Sequence, residues 1–269
     1  MGAKLKNAPV FFSLGQIQHN PLLSLEHYIP AIQESMRKAG YPGFNRTLRV
    51  AFNLNQALAG NEGAPSEQLP SERIEMFVFT NIDSTSGFVM TANGLAFQTT
   101  DYQNFEAFWA ELRKGLEILS TAVGGLAFAE RLGLRYLDAV MPKAGESLSD
   151  YLVPQLLGLP TCMPTAQFAY SFSESLLIAE NVGRVTSRTV IQEGGIGFPP
   201  DLQPLGLNLL NRFSSFKGEH AILDTDGSFA ERRPFDLDEI GTHMDKLHDL
   251  ASGCFKASVM PHASKAWNE

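Results

Sequence analysis

Cysteine is scarce in this chain: Cys162 and Cys254 are the only two among 269 residues. Two cysteines cannot staple a disulfide scaffold or make a four-cysteine zinc site, and they suit a reducing compartment. Long hydrophobic runs are missing too. The best candidate, Leu116 to Phe128, is interrupted by Glu117, Ser120, Thr121, Gly124 and Gly125, short of the roughly 18 apolar residues that a helical span needs. Near the N-terminus, Val10-Phe11-Phe12 stops at Ser13, too short for a signal-peptide core, and Lys6 stands where a myristoylation signal after Gly2 wants Ser or Thr. Cations are outnumbered: 21 Lys and Arg against 29 Asp and Glu give a formal charge of −8. A nonspecific nucleic-acid clamp needs clustered cations, so this balance makes a nucleic-acid partner unlikely. The expectation is a soluble cytoplasmic protein with no membrane segment.

Motifs for chemistry are equally sparse. There is no G-x-S-x-G elbow, and Cys162 lies between Pro160-Thr161 and Met163-Pro164 with no base beside it. His243 and His248 are five residues apart, which on one helix aims them about 140° from each other, a poor chelating pair. Asp224-Thr225-Asp226-Gly227 opens like a calcium loop, but the twelfth position is Phe235 where the loop needs Glu. Gly194, Gly195 and Gly197 are followed by Pro199-Pro200, which block the helix that a phosphate-binding glycine loop must lead into. No spacing selects a pair of carboxylates for acid–base work. No metal and no cofactor is expected.

What is present is a globular composition, 44% hydrophobic and 19% charged. Strands are expected over 9–18, 47–54, 74–82, 87–91 and 95–99, with an exposed loop over 57–72 and an Asn93-Gly94 type I′ turn closing a hairpin. A first helix over 31–39 takes Pro30 as its opening residue. Asn104 should cap a longer helix bearing Phe105, Phe108, Trp109, Leu112, Leu116 and Leu119, stopped at Gly124-Gly125. In the second half, 127–140 reads as a strand and 148–157 as a short helix. Residues 165–178 and 182–191 read as paired strands joined at Glu180-Asn181, and 194–204 as a long mobile loop. A hairpin turning at Asp226-Gly227 and a final helix capped by Asp236 follow.

Gly94 and Gly227 lie about half the chain apart, each in a hairpin followed by an amphipathic helix. This suggests two halves, 1–125 and 126–269, related by duplication of a strand–helix–strands–hairpin–helix unit within one compact body. The fold class expected is α+β, with a mostly antiparallel sheet or sheets and long amphipathic helices packed on one side.

Phenylalanine is frequent, 19 residues, and falls mainly in the strands. Phe77 and Phe79 share one face of a strand whose other face carries Met76 and Val78. A sheet apolar on both faces must be covered twice, so a homodimer or a protein partner is expected. Arg131 and Arg135, four apart on a strand, share a face with Tyr136 on the other, a possible anion-binding edge.

Several segments resemble a sporadically distributed family of bacterial proteins of similar length to which no activity is assigned. The likeness runs thinly through most of the chain: Pro9-Val10 to Leu22, Ile29-Pro30-Ala31-Ile32-Gln33-Glu34, Thr99 to Leu112, Gly133-Leu134-Arg135-Tyr136-Leu137, His220 to Asp226, and the helix with Leu247-His248 and Phe255. It is weak from Cys162 to Phe216. The chain departs from the family pattern at Asp138, where Asn is usual, and at Phe12, where a carboxylate is usual. The resemblance implies a soluble protein of bacterial or phage type and no particular chemistry.

The leading expectation is a non-catalytic binding module that works through a protein partner. The sporadic distribution associates it with defence, toxin neutralisation or immunity. The first rival is an enzyme with a dispersed site, a hydrolase or nucleotide-acting enzyme, using Arg135, Tyr136, His220 or His248. The second is a nucleic-acid saddle built from a duplicated sheet. The candidate binding residues are Arg131, Arg135, Tyr136, His220 and His248.

Overall fold

A computed structural model of the chain describes residues 6–52, 71–163, 165 and 168–268. One antiparallel sheet of ten strands carries the fold, with helices making the rest of an α+β architecture. The first half supplies β1 (Val10–His19), α1 (Leu25–Lys38), β2 (Gly43–Phe52), β3 (Ser71–Thr80), β4 (Ser86–Thr91), β5 (Gly94–Thr99) and α2 (Phe105–Val123). The second supplies β6 (Phe128–Val140), the one-turn helices α3 (Leu148–Tyr151) and α4 (Pro154–Leu157), β7 (Tyr170–Ala179) and β8 (Gly183–Gly194). It ends with α5 (Asn211–Ser214), β9 (Gly218–Phe229), β10 (Arg233–Pro234), α6 (Leu237–Ser258) and α7 (Pro261–Ala266). The sheet order is β2-β3-β4-β5-β1-β6-β9-β8-β7, with β10 added to the start of β6. The sheet is therefore continuous across the β1–β6 pair that joins the two halves.

One face is covered by the long helices. Gly15 of β1, Leu134 of β6 and Gly227 of β9 stand side by side in register. A Cβ on Gly15 would meet Leu112 and Phe108 of α2, and one on Gly227 would lie near Leu247 of α6. Both helices thus press on the same face, and their buried stripes join α1 and the strands in the main apolar core. The caps follow from the sequence: Asn104 accepts from the Ala107 amide, Asp236 accepts from Asp238 and Glu239, and Gly124 closes α2 at φ +77°. Oxygen side chains at these positions satisfy amides that the first turn leaves without partners.

The opposite, open face has its own core of Phe11, Phe12, Leu137, Ala139, Leu202, Phe213 and Ile222. A bulge in β1 explains why two consecutive phenylalanines reach it. Val10 pairs with Asp138 and Phe12 with Leu137, so Phe11 is the extra residue and the strand changes face around it. The segment after β8 lies across this face. Phe198 packs edge-on against Phe11 and Phe12 at 5.4 and 5.3 Å. Leu205 exchanges two hydrogen bonds with the Gln98 side chain, and Thr100 donates to the Asn208 carbonyl. The Gly- and Pro-rich stretch expected to be a mobile loop is fastened to both halves of the sheet.

Several expectations are corrected. No turn occurs at Asp226-Gly227, which lie inside β9 opposite Arg135 and Leu134. The turn-to-turn spacing that suggested a repeat loses one of its two members. The β4–β5 hairpin forms, but it turns through Ala92 and Asn93, and neither Asn93 nor Gly94 has a positive φ, so it is not a type I′ turn. Pro30 is inside α1 rather than at its start: Leu25, Ile29, Ile32 and Met36 form the buried stripe, and packing carries the helix a turn and more upstream. The helix expected over 148–157 is split into α3 and α4. The loop expected over 57–72 lies outside the described residues apart from 71 and 72, which open β3.

Candidate functional site

β6 brings its two faces to two different sites. On the helix-covered face Leu132, Leu134, Tyr136 and Asp138 alternate toward α2 and α6, while Arg131, Arg135 and Leu137 point to the open face.

On the helix side, a cavity of about 160 Å³ lies beside Asp138. Tyr102, Tyr136, His248, Val10 and Phe255 line it, and the small residues Ala251 and Ser252 of α6 leave the room. The Tyr136 hydroxyl is 3.0 Å from His248 Nδ1. The His248 ring stacks on Phe105 at 4.4 Å, nearly parallel. Tyr102 closes one wall, 5.4 Å from the Tyr136 ring and edge-on to it. Burial sets the proton affinities here. It lowers His248 below the usual histidine value, raises Tyr102 to about 12, and raises Tyr136 well above the usual phenol. The Asp138 carboxyl is pushed up to about 7 by burial alone. Among the described residues nothing donates a hydrogen bond to it.

On the open face, Arg135 is enclosed by carboxylates. Its Nε and Nη2 donate to Asp224 at 2.7 Å each, and its Nη1 donates to Asp201 at 2.7 Å. Burial works to lower the Arg135 pKa, but these bonds outweigh it and hold the guanidinium charged; the same contact holds Asp201 below the usual carboxylate range. Arg188 donates to Glu174 at 2.6 Å and to Asp224 at 3.3 Å. Beside this network a groove of about 720 Å³ runs between the β7–β8 ribbon and the stretch Gly197–Asp201. Phe198, Val190 and Ile222 make its apolar wall, and Arg188 and Asp224 line it as well. Tyr170 and Phe172 of β7 also line it, 70% and 55% exposed. β7 is the last strand of the sheet, bonded only to β8 among the described residues. Leu176 and Ile178 continue its exposed apolar surface on the same face beyond Glu174, Ile178 at 81%.

The five residues singled out from sequence therefore divide. Tyr136 and His248 meet at the cavity. Arg135 is on the other face with its donors committed to Asp224 and Asp201, so it does not join Tyr136 in one site. Arg131, half-buried, lies over Gly133 on that same open face. His220 is fully buried at the far end of β9, its Nδ1 3.0 Å from the Gly218 carbonyl oxygen and its ring edge-on to Phe216. Sequence reasoning passed over Tyr102 and Asp138 as site residues. A signal existed for Asp138: it falls on the same strand face as Leu132, Leu134 and Tyr136, where an acid is out of place unless something pairs with it.

Among the described residues no group of three His, Cys, Asp or Glu side chains is placed to hold a metal ion, and no helix is long and apolar enough to cross a membrane. No family model matches the chain, and no curated protein is significantly similar to it.

Proposed function

We propose that the chain is a non-catalytic binding module that acts through a protein partner, docked along β7 and into the groove beside it. The observation that carries this reading is the continuity of an apolar groove of about 720 Å³ with the exposed apolar surface of the edge strand. An edge strand presents a row of backbone donors and acceptors, and chains that must stay monomeric blunt it with Lys, Pro or a bulge. β7 has no Lys and no Pro, and it pairs with β8 in unbroken register over its whole length. An extended partner segment would add a strand there and set alternate side chains into the groove against Phe198, Val190 and Phe172. Arg188 and Glu174, already paired to each other, give the groove a polar margin without a net charge.

The setting we propose is the bacterial cytoplasm, with a role in defence, toxin neutralisation or immunity; this rests on the resemblance described above. We also take the two halves to be duplicated units. The support is topological: β5, β4 and β3 follow outward from β1 as β9, β8 and β7 follow from β6, and along the chain β5 leads into α2 as β9 leads, through β10, into α6.

The test is to isolate the tagged full chain from its own cells, weigh the complex by native mass spectrometry, and map it by hydrogen exchange. The expected result is a second protein at fixed stoichiometry that slows exchange across β7 and is lost from the doubly substituted chain Phe172→Lys, Ile178→Lys while its circular dichroism is unchanged. A second copy of this chain with the same protection would make the partner a homodimer. A complex that protects another surface, or that survives the double substitution, rejects the reading.

A further inference from the structure

A buried carboxyl with no hydrogen-bond donor is costly to keep. Asp138 is 7% exposed. An acid in that position is stabilised in folded proteins by an arginine, a lysine or backbone amides, and none is supplied among the described residues. Its nearest strand neighbours give it nothing: Val10 of β1 and Leu223 of β9 stand opposite it in register. The chain also makes room for something else. Ala251 and Ser252 are the small α6 residues that line the cavity with Asp138, and the β1 bulge lies immediately beside the acid. A free cavity of about 160 Å³ remains, close to the ~150 Å³ that admits a benzene-sized molecule in a protein core.

The walls select the ligand. They carry no cationic side chain, and His248 is held neutral by its burial. A carboxyl with no cation nearby excludes an anionic ligand. Tyr102, Tyr136 and Phe255 surround the acid with aromatic rings, whose electron-rich faces attract cations. The Tyr136, Tyr102 and Thr225 hydroxyls supply acceptors for further N–H groups.

We propose that this cavity binds a small organic ammonium ion of about six non-hydrogen atoms, its N–H groups donating to the Asp138 carboxylate and its hydrocarbon body lying against Tyr102, Tyr136 and Phe255. The site stands apart from the β7 groove, and it is independent of the partner reading.

Binding requires the ionised acid. The titratable groups facing Asp138 are Tyr136 on its own strand, Tyr102 ahead of α2 and His248 on α6; β1 and β9 contribute none. The tyrosines stay neutral through physiological pH, and His248 loses its charge below the usual histidine value, so Asp138 alone titrates near 7.

The probe is n-butylammonium, with butan-1-ol and butyrate as neutral and anionic matches, each titrated by calorimetry into the full chain. The expected result is saturable n-butylammonium binding that tightens roughly tenfold from pH 6 to pH 8, as a group titrating near 7 requires, with both matches at least tenfold weaker. Asp138→Asn should abolish n-butylammonium binding with the fold intact by circular dichroism. Ser252→Leu, which keeps the acid and fills the cavity, should abolish it too. Equal binding of butan-1-ol, unchanged binding by folded Asp138→Asn, or no saturable n-butylammonium binding at pH 8 would overturn the proposal.

Discussion

The Tyr136 hydroxyl lies 3.0 Å from His248 Nδ1, joining β6, the first strand of the second half, to α6, its long helix. The bond and the stacking on Phe105 hold the half-buried imidazole in place, and burial lowers its pKa. The sign of the linkage is fixed: the unfolded chain takes up a proton on His248 at a higher pH than the folded chain. Stability from this group is complete above the unfolded value of about 6.5 and declines as pH falls through that value toward the folded one. NMR titration of the His248 ring should place its midpoint below 6.5. Tyr136→Phe should cost about 0.5–1.5 kcal/mol by removing a part-buried hydrogen bond, measured by chemical denaturation at pH 8.

Asp138 works in the opposite direction. Its folded pKa of about 7 stands above the unfolded 3.8. The folded state therefore holds the proton longer, and stability falls as pH rises from about 4 to about 7, then levels off. The full difference corresponds to roughly 4 kcal/mol. Asp138→Asn should be more stable than the parent at pH 8 by up to that amount and nearly equal to it at pH 4. Urea midpoints at the two pH values decide; a parallel loss at both would mean that the carboxyl is internally satisfied.

Arg135 and Asp224 make a buried pair on the other face, 8% and 1% exposed at their side chains. Arg135→Met should destabilise by about 3–5 kcal/mol, because it strands a buried carboxylate whose other contact, Arg188 Nη1 at 3.3 Å, is longer. Adding Asp224→Leu should recover most of the loss. A double-mutant cycle read by denaturant midpoint tests this, and strict additivity of the two losses would reject it.

Much of this could be read from residue order, and the failures share a cause. Period and caps identify α2 and α6, because Asn104 and Asp236 act on their own first turns. The β7–β8 connection was legible through Asn181, which takes the positive φ that its amide side chain tolerates. Asp226-Gly227 misled because turn chemistry is local while strand pairing is tertiary: both residues are held inside β9 by pairing with β6 on one side and β8 on the other. Pro30 misled in the same way, since the apolar stripe from Leu25 to Met36 outweighs one missing amide. At the site, Tyr136 and His248 could be named, but their meeting depends on where α6 crosses β6, which no spacing along the chain encodes. Arg135 was legible as a charge, and its enclosure by Asp201 and Asp224 was not, because Asp201 arrives on a segment 66 residues further along the chain.

The fit of α2 on the sheet turns on Gly115. A Cβ there would collide with Phe88 Cε1, and Phe88 is itself fully buried against Tyr41 and Phe97 at 4.7 and 5.0 Å. With the ring held between Tyr41 and Phe97, either it or the helix must shift. In an exposed helix, Gly→Ala would add about 1 kcal/mol of stability through helix propensity; overpacking a closed core costs about 1–3 kcal/mol, and the shortness of the contact makes the second effect larger. Gly115→Ala should therefore lower the denaturation midpoint. Pairing it with Phe88→Leu, which withdraws the ring edge, should restore part of the loss. A stability gain in the single variant would mean that α2 stands further from the sheet than the Gly115–Phe88 contact requires.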